Sequence, residues 1–397
     1  MASTEPIVVS VIVPARNEEA CLALCLESLA TQTGIPFEII VVDDGSTDHT
    51  AEIARSFANR GTVGAELPDL HSVTVISAPP LPDNWTGKNN AMSAGAKIAK
   101  GKWLLFTDAD TVHKPGSLAR AIAEADEHEG VALLSYSPEQ EVRTFLERAV
   151  MPVIFAELAV TYPPSSVRDP NSPIAAANGQ YLMMSREAYD AVGGHTRIAG
   201  DLLEDVAMAR LVKSSGRKIW FRYGGDAVHT RMYRNWSQMK EGWTKNLTLL
   251  FSSSWGLACW RLSEFLLIIS LICGAIEIRL ITGLIGPFIF QLLLAFVVLF
   301  FFLHRVRSAR FKFLTSFVSI VGLPVFAYLL FRSARLQRSG AVAWKGRAYP
   351  TSEAGATTGK SDTFSATLAL VLTALIPLFL IAVLVATVYG RGIFYRH

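Results

Sequence analysis

Residues 9–48 read VSVIVPARNEEACLALCLESLATQTGIPFEIIVVDDGSTD. Val8–Val13 and Glu38–Val42 are short runs rich in β-branched residues. Between them Glu18–Thr31 has apolar residues at helical spacing and acidic residues in its first turn, where the helix dipole favours negative charge. Strand, helix and strand in that order are the repeating unit of a mainly parallel α/β sheet. The pattern continues outward. DDGSTD at 43–48 turns into a helix ending near Asn59, Val73–Ile76 is a third strand, and a helix runs from about Thr86 to Lys100. Trp103–Phe106 is a fourth strand, running directly into Asp108, Ala109 and Asp110. Further on, Val131–Tyr136 and Asn178–Met184 read as strands, and Thr144–Val160 and Leu203–Ser215 as helices, the last closed by Gly216.

The 397 residues are 51% hydrophobic and only 18% charged, which excludes a disordered chain and disfavours a purely soluble one. Charge is divided along the chain. Residues 1–230 hold 19 basic and 29 acidic side chains, net −10, whereas 231–397 hold 18 and 5, net +13. The acidic part is no nucleic-acid surface, and the basic part is also the apolar one. Cys21, Cys25, Cys259 and Cys273 form no CxxC pair and read as packing residues. The N-terminus lacks a basic region ahead of an apolar core, so the first domain is expected to remain in the cytosol.

Three stretches lack Asp, Glu, Lys and Arg: Leu280–Leu303, Phe313–Phe331 and Thr363–Gly390. A fourth candidate, Leu262–Ile278, carries Glu264 and Glu277 near its ends. The first and last stretches exceed the roughly 20 residues that a spanning helix needs. Arg305, Arg307, Arg310 and Lys312 follow one stretch, and Arg332, Arg335, Arg338, Lys345, Arg347 and Lys360 follow another; both clusters belong on the cytoplasmic side. They share it if Leu262–Leu303 is a hairpin of two spans and Phe313–Phe331, interrupted by Pro324, is re-entrant or in-plane, the arrangement favoured over four plain spans. Met232–Phe251 mixes Trp, Arg and Lys with apolar residues, as suits a helix at the membrane surface. The expected organisation is a catalytic domain at 1–230, interfacial helices at 231–260, and a membrane domain at 261–397 containing a basic loop at 332–362.

Carboxylates gather at strand ends, where open α/β sheets bind ligands. Asp43 and Asp44 end the second strand, and Asp108 and Asp110 follow the fourth. A D-x-D pair there can hold a hard divalent cation that bridges diphosphate oxygens. Each motif alone is also ordinary turn and cap chemistry.

The ordered series VSVIVPARNEE, VVDDGSTD, GKNNAMSAG, FTDAD and LLED resembles the family 2 glycosyltransferases of GT-A fold over about residues 7–250. The resemblance implies a nucleotide pocket at Pro14, Arg16, Glu18, Asp43 and Asp44, and Lys88 beside the nucleotide phosphates. It implies Asp108 at the ribose or metal and Asp110 at the metal, which would be Mg²⁺ or Mn²⁺. Asp205 would be the base of an inverting transfer, with Glu204 beside it orienting the acceptor or forming a salt bridge to an arginine. Arg231 or Arg234 would contact the diphosphate, Trp236 or Trp243 the acceptor, and His229 would be a further metal ligand.

LPDNWTGKNNA, AANGQYLMMSREAYDAVGGH, TRMY with EGWTKN, and AVAWKGRAYP are similar to the hopanoid-associated glycosyltransferases, which are related to ceramide and carotenoid glycosyltransferases. That resemblance implies a nucleotide-diphosphate sugar donor and a lipid acceptor. Asn178, Gly179 and Gln180 would line the sugar or acceptor side, and Trp344, Lys345 and Arg347 a loop closing over the nucleotide. The expected location is the inner or plasma membrane, multi-pass, with the catalytic domain cytoplasmic. The QxxRW block of processive synthases is absent. A polysaccharide synthase and a non-catalytic nucleotide-sugar-binding protein are the alternatives.

Overall fold

The computed structural model describes residues 6–60, 72–338, 341–344 and 347–350. Its first unit comprises Met1–Glu141 and Tyr162–Met232. In chain order it contains β1 (Val9–Ala15), α1 (Leu22–Ala30), β2 (Phe37–Asp43), α2 (Thr50–Arg60), β3 (Val73–Ser77), α3 (Gly87–Ile98), β4 (Trp103–Phe106) and β5 (Thr111–His113). There follow α4 (Ser117–Glu127), β6 (Val131–Ser137) and β7 (Glu139–Gln140). After the excursion of α5 (Phe145–Thr161) come α6 (Pro164–Arg168), β8 (Leu182–Ser185), α7 (Arg186–Ala191), α8 (Glu204–Ser214), β9 (Lys218–Tyr223) and β10 (Val228–Thr230).

The main sheet is seven-stranded in the order β3-β2-β1-β4-β8-β6-β9. Strands β3, β2, β1 and β4 are parallel, and β8 runs against both β4 and β6. β1 is buried except for half-buried Pro14, as expected of a strand covered on both faces. The register sets Ala15 opposite Asp43, so the motif loops after β1 and β2 leave the sheet together. α3 lies close to β1 because Gly95 has no side chain; a Cβ there would come within 2.6 Å of Ile12 Cγ2. A second sheet, β5-β10-β7, sets His229 opposite Val112 and Glu139.

The strand expected over Asn178–Met184 begins only at Leu182. Asn178 Oδ1 accepts the Gln180 amide at 3.0 Å, and the Tyr181 amide donates to the Asn178 carbonyl at 3.0 Å. This side-chain turn displaces ladder pairing.

The second unit comprises Val142–Thr161 and Tyr233–His397. It therefore takes α5 out of the sequence expected to be catalytic. Its other elements are α9 (Trp236–Leu250), α10 (Ser254–Thr282), α11 (Ile285–Val306), α12 (Phe313–Val318), α13 (Gly322–Arg338), and a hairpin of β11 (Ala341–Trp344) and β12 (Arg347–Pro350). α10 and α11 form the expected helical hairpin, turning at Gly283 with φ 64°. Among the described residues three segments are long and apolar enough to cross a membrane: Ser254–Thr282, Ile285–Ala309 and Phe313–Arg338. Large apolar side chains such as Leu280 (79% exposed) and Phe290 (70%) face outward, a surface compatible with lipid rather than water. Thr363–Gly390 lies outside the described residues.

Two expectations are corrected here. The third stretch breaks at a 3₁₀ turn over Ser319–Val321, not at Pro324. Pro324 is the third residue of α13, where no intrahelical amide bond is required. Arg332, Arg335 and Arg338, expected in a loop, belong to α13.

α13 also meets α5 at Gly322, where a Cβ would overlap the Ala149 carbonyl. Backbone cannot yield as a side chain can. Gly322→Ala is expected to destabilise the second unit by about 1–3 kcal/mol, read as a lowered melting temperature in detergent with nucleotide affinity unchanged.

Candidate active site

The first corner of the site is the pair of loops after β1 and β2. Arg16 Nη1 donates to the Asp44 carbonyl at 2.6 Å and stands 3.8 Å from Asp44 Oδ2. Asp43 Oδ1 accepts the Ser46 amide at 3.2 Å across a turn in which Gly45 has φ 69°, a conformation glycine adopts without penalty. The Glu18 amide donates to Thr50 Oγ1 at 2.7 Å, and the Thr47 amide to Asn17 Oδ1 at 2.8 Å. Pro14 pairs with Val42 just inside the sheet. These bonds lace the NEE and DDGSTD loops into one rim.

The second corner holds the charges. Thr86 caps α3 by accepting the Asn89 amide, and Asn89 Nδ2 donates to the carbonyls of Ile198, Ala199 and Asp201 at 2.7–3.1 Å. The start of α3 is thereby fixed to the loop that leads into α8. Lys88, the second residue of α3, reaches Asp108 Oδ1 at 2.6 Å and Glu204 Oε1 at 2.5 Å. Burial alone would lower the Lys88 ammonium's pKa, but Asp108 and Glu204 outweigh it and hold it well above the usual lysine range.

Asp205 is held differently. Its Oδ2 accepts the Gly179 amide at 2.9 Å and its Oδ1 the Val206 amide at 2.7 Å. Desolvation, then the charge of Glu204, push its carboxyl up to about 6 against the opposing Lys88 charge and the two amide bonds. A carboxylate poised there is suited to take a proton near neutral pH. Gly179 lies over the cluster: a Cβ would stand 3.1 Å from Glu204 Oε1, 3.2 Å from Lys88 Nζ and 3.7 Å from Asp205 Oδ2. Gly179→Ala is therefore expected to cut turnover on the order of ten-fold with little change in melting temperature, a split readable by comparing kcat with thermal unfolding.

The third corner joins Asp110 to β10. Thr230 Oγ1 donates to the Asp110 carbonyl at 3.0 Å, next to His229. Nδ1 of His229 is buried with no hydrogen-bond partner among the described residues, a nitrogen suited to a cation. Among the described residues no group of three His, Cys, Asp or Glu is arranged around one ion. A carboxylate and an imidazole, as Asp110 and His229 carry, are donor types that Mg²⁺ or Mn²⁺ accepts. Gln180 is buried, with Nε2 3.4 Å from Thr230 Oγ1. Thr107 Oγ1 donates to the Gln180 carbonyl at 2.7 Å and lies 3.1 Å from His113 Nε2.

Lys88, Asp108, Glu204, Asp205 and Gly179 are thus brought together. Arg231 follows β10 and is half-buried. In the second unit Trp243 is 2% exposed, packed edge-on to Phe155 and Tyr233, so it is a core residue there and not a displayed acceptor contact. Trp344 ends β11 and Arg347 begins β12; Lys345 lies outside the described residues. Sequence reasoning passed over Asn89, Thr107 and His113. Asn89 stands inside the quoted TGKNNA motif directly after Lys88, and that adjacency was the available signal.

Residues 10–193 match the family model for glycosyl transferase family 2. The chain is 28% identical over 353 residues to 4,4'-diaponeurosporenoate glycosyltransferase of Staphylococcus aureus (strain USA300), covering 87% of this chain and 88% of the relative. Among solved structures it is similar to a mannosyltransferase, PcManGT, from Pyrobaculum calidifontis in complex with GDP-Man and Mn²⁺: 16% identity, 98% of this chain, 89% of that one, TM-score 0.43. S. aureus TarS is similar at 18% identity, with 62% of this chain covered and TM-score 0.39; the match spans 40% of the TarS chain.

Proposed function

We propose that this chain, similar over residues 10–193 to the glycosyl transferase family 2 model, is a glycosyltransferase of that family that moves one sugar from a nucleotide-diphosphate donor, a UDP-sugar, to a hydroxyl of a membrane lipid of polyisoprenoid or hopanoid type. The observation that carries the transfer is the differentiated carboxylate pair: Glu204 is bound to Lys88, while Asp205 is held by backbone amides alone. Asp205 takes the proton of the acceptor hydroxyl as its oxygen attacks the anomeric carbon, and the bond from that carbon to the diphosphate breaks on the opposite face, inverting the centre. Arg16, Asp43 and Asp44 bind the nucleoside, and Lys88 pairs with the diphosphate. Asp110, with Asp108 and His229, would hold Mg²⁺ or Mn²⁺, whose charge favours departure of the diphosphate.

The lipid acceptor is supported by the outward-facing apolar helices and by the name of the Staphylococcus relative. An apolar recess of about 470 Å³ in the second unit, lined by Leu146, Trp236, Pro324, Val325 and Tyr328, offers a surface of the right chemistry. Membrane attachment concentrates an insoluble acceptor where the base can reach it. The basic residues after α11 and along α13 support a plasma-membrane protein with its catalytic domain cytoplasmic, and the stretch of sequence carrying Trp344, Lys345 and Arg347 is proposed to close over the nucleotide.

Mass spectrometry of products tests this. Protein in source membranes, incubated with Mn²⁺ and a panel of UDP- and GDP-sugars, should give one new lipid with a single hexose-type increment, lost in EDTA. A ladder of increments would mean a polymerase; donor binding without product would mean a non-catalytic protein.

A further inference from the structure

Lys88 occupies an unusual place for a lysine. It is the second residue of α3, a helix with no acidic residue in its first turn, where the dipole repels a cation. Its position is explained by the carboxylates around it. One ammonium faces Asp108 from the end of β4 and Glu204 from the start of α8, with Asp205 adjoining. The backbone beneath is immobilised, because Asn89 and the Thr86 amide bind the 198–201 loop. Only the side chain of Lys88 is left to move.

We propose that Asp108 and Glu204 latch the Lys88 ammonium in the donor-free enzyme, so that a nucleotide diphosphate binds only by drawing Lys88 out of this double ion pair. This rests on the donor reading above. An incoming diphosphate meets more carboxylates than cations in this corner, and the single cation it needs is already bound twice. Anything that takes over the charge of Asp108 loosens one half of the latch and frees Lys88 for the phosphates. Glu204 is therefore a positioning residue that acts through Lys88. Cation and nucleotide binding are coupled through the same ammonium, and coupling between two ligands is reciprocal.

Calorimetric titration of the full-length protein in detergent with UDP, and separately GDP, in EDTA and in Mn²⁺ tests the latch without relying on turnover. Glu204→Gln keeps the shape and removes the charge; it is expected to tighten metal-free UDP binding on the order of ten-fold and to shrink the enhancement given by Mn²⁺. Glu204→Ala should move the same way, which guards against a folding artefact. In a Lys88→Met background the gain from Glu204→Gln should fall below about three-fold. Unchanged or weaker UDP binding in both Glu204 variants overturns the latch. An equal gain with and without Lys88 overturns it too, because simple removal of a negative charge would then suffice. A wild-type protein that binds neither UDP nor GDP, with or without Mn²⁺, would overturn the donor reading and the latch with it.

Discussion

Asp205→Asn is expected to lower kcat about 10²–10⁴-fold while leaving donor affinity within about two-fold. The Gly179 and Val206 amides bind separate oxygens of Asp205, so an asparagine oxygen keeps only one of these bonds while its NH₂ faces the other amide; the variant loses the base and one amide bond. Asp205 does not pair with Lys88; Glu204 and Asp108 do, which is why donor binding should survive. A parallel fall in donor affinity would show that Asp205 belongs to the nucleotide pocket and is not the base. The pH dependence provides an independent check. With its carboxyl pushed up to about 6 by desolvation and by Glu204, Asp205 is deprotonated and active above that pH. The pH profile of kcat/KM, which reports the free enzyme, should fall on the acid side with a midpoint near 6. Glu204→Gln removes a charge that raises this pKa, so its acid limb should move to lower pH. A limb that stays in place would assign the titration to another group.

The fold was legible where residue type and position said the same thing. β1, β2 and β3 are short runs rich in β-branched residues and β4 is the apolar run WLLF, and the D-D and D-x-D pairs mark the carboxyl ends of β2 and β4; the sheet follows this reading. β5, β7 and β10 were not legible, because strands of two or three residues have no alternation to detect. β9, KIWFRY, was missed because its cations and aromatics mask the apolar signal. The placement of α5 was hidden for another reason: it lies between strands of the first unit in sequence, and nothing in a mostly apolar helix says which unit it packs with. The site divides likewise. Asp108, Lys88, Glu204 and Asp205 were legible as chemistry from their motifs, but the contact of Lys88 with Glu204, 116 residues away, is created by Asn89 and the 198–201 loop. No local pattern encodes it. Trp243 shows the converse, since an aromatic with a polar edge reads as a binding residue until its burial is known.

Arg261→Met is expected to destabilise the second unit by about 3–5 kcal/mol, the usual penalty for leaving a buried charge without its partner. Arg261 binds Glu157 of α5 at 2.9 Å and Glu264 of its own helix at 3.0 Å, and Arg305 of α11 binds the same two carboxylates at 3.2 and 2.7 Å. Two cations and two anions alternate in a closed ring, with Arg261 and Glu157 only 9% and 5% exposed. Removing Arg261 leaves two carboxylates sharing one guanidinium. The double substitution Glu157→Gln with Arg261→Met restores neutrality and keeps the bond pair between Arg305 and Glu264, so it should recover most of the loss. Melting temperatures in detergent of the two single variants and the double variant give the coupling directly. Additive losses would mean that packing, not charge balance, holds α5 against the α10–α11 hairpin. Strong recovery would identify the ring as what makes a helix lying in sequence between strands of the first unit part of the second.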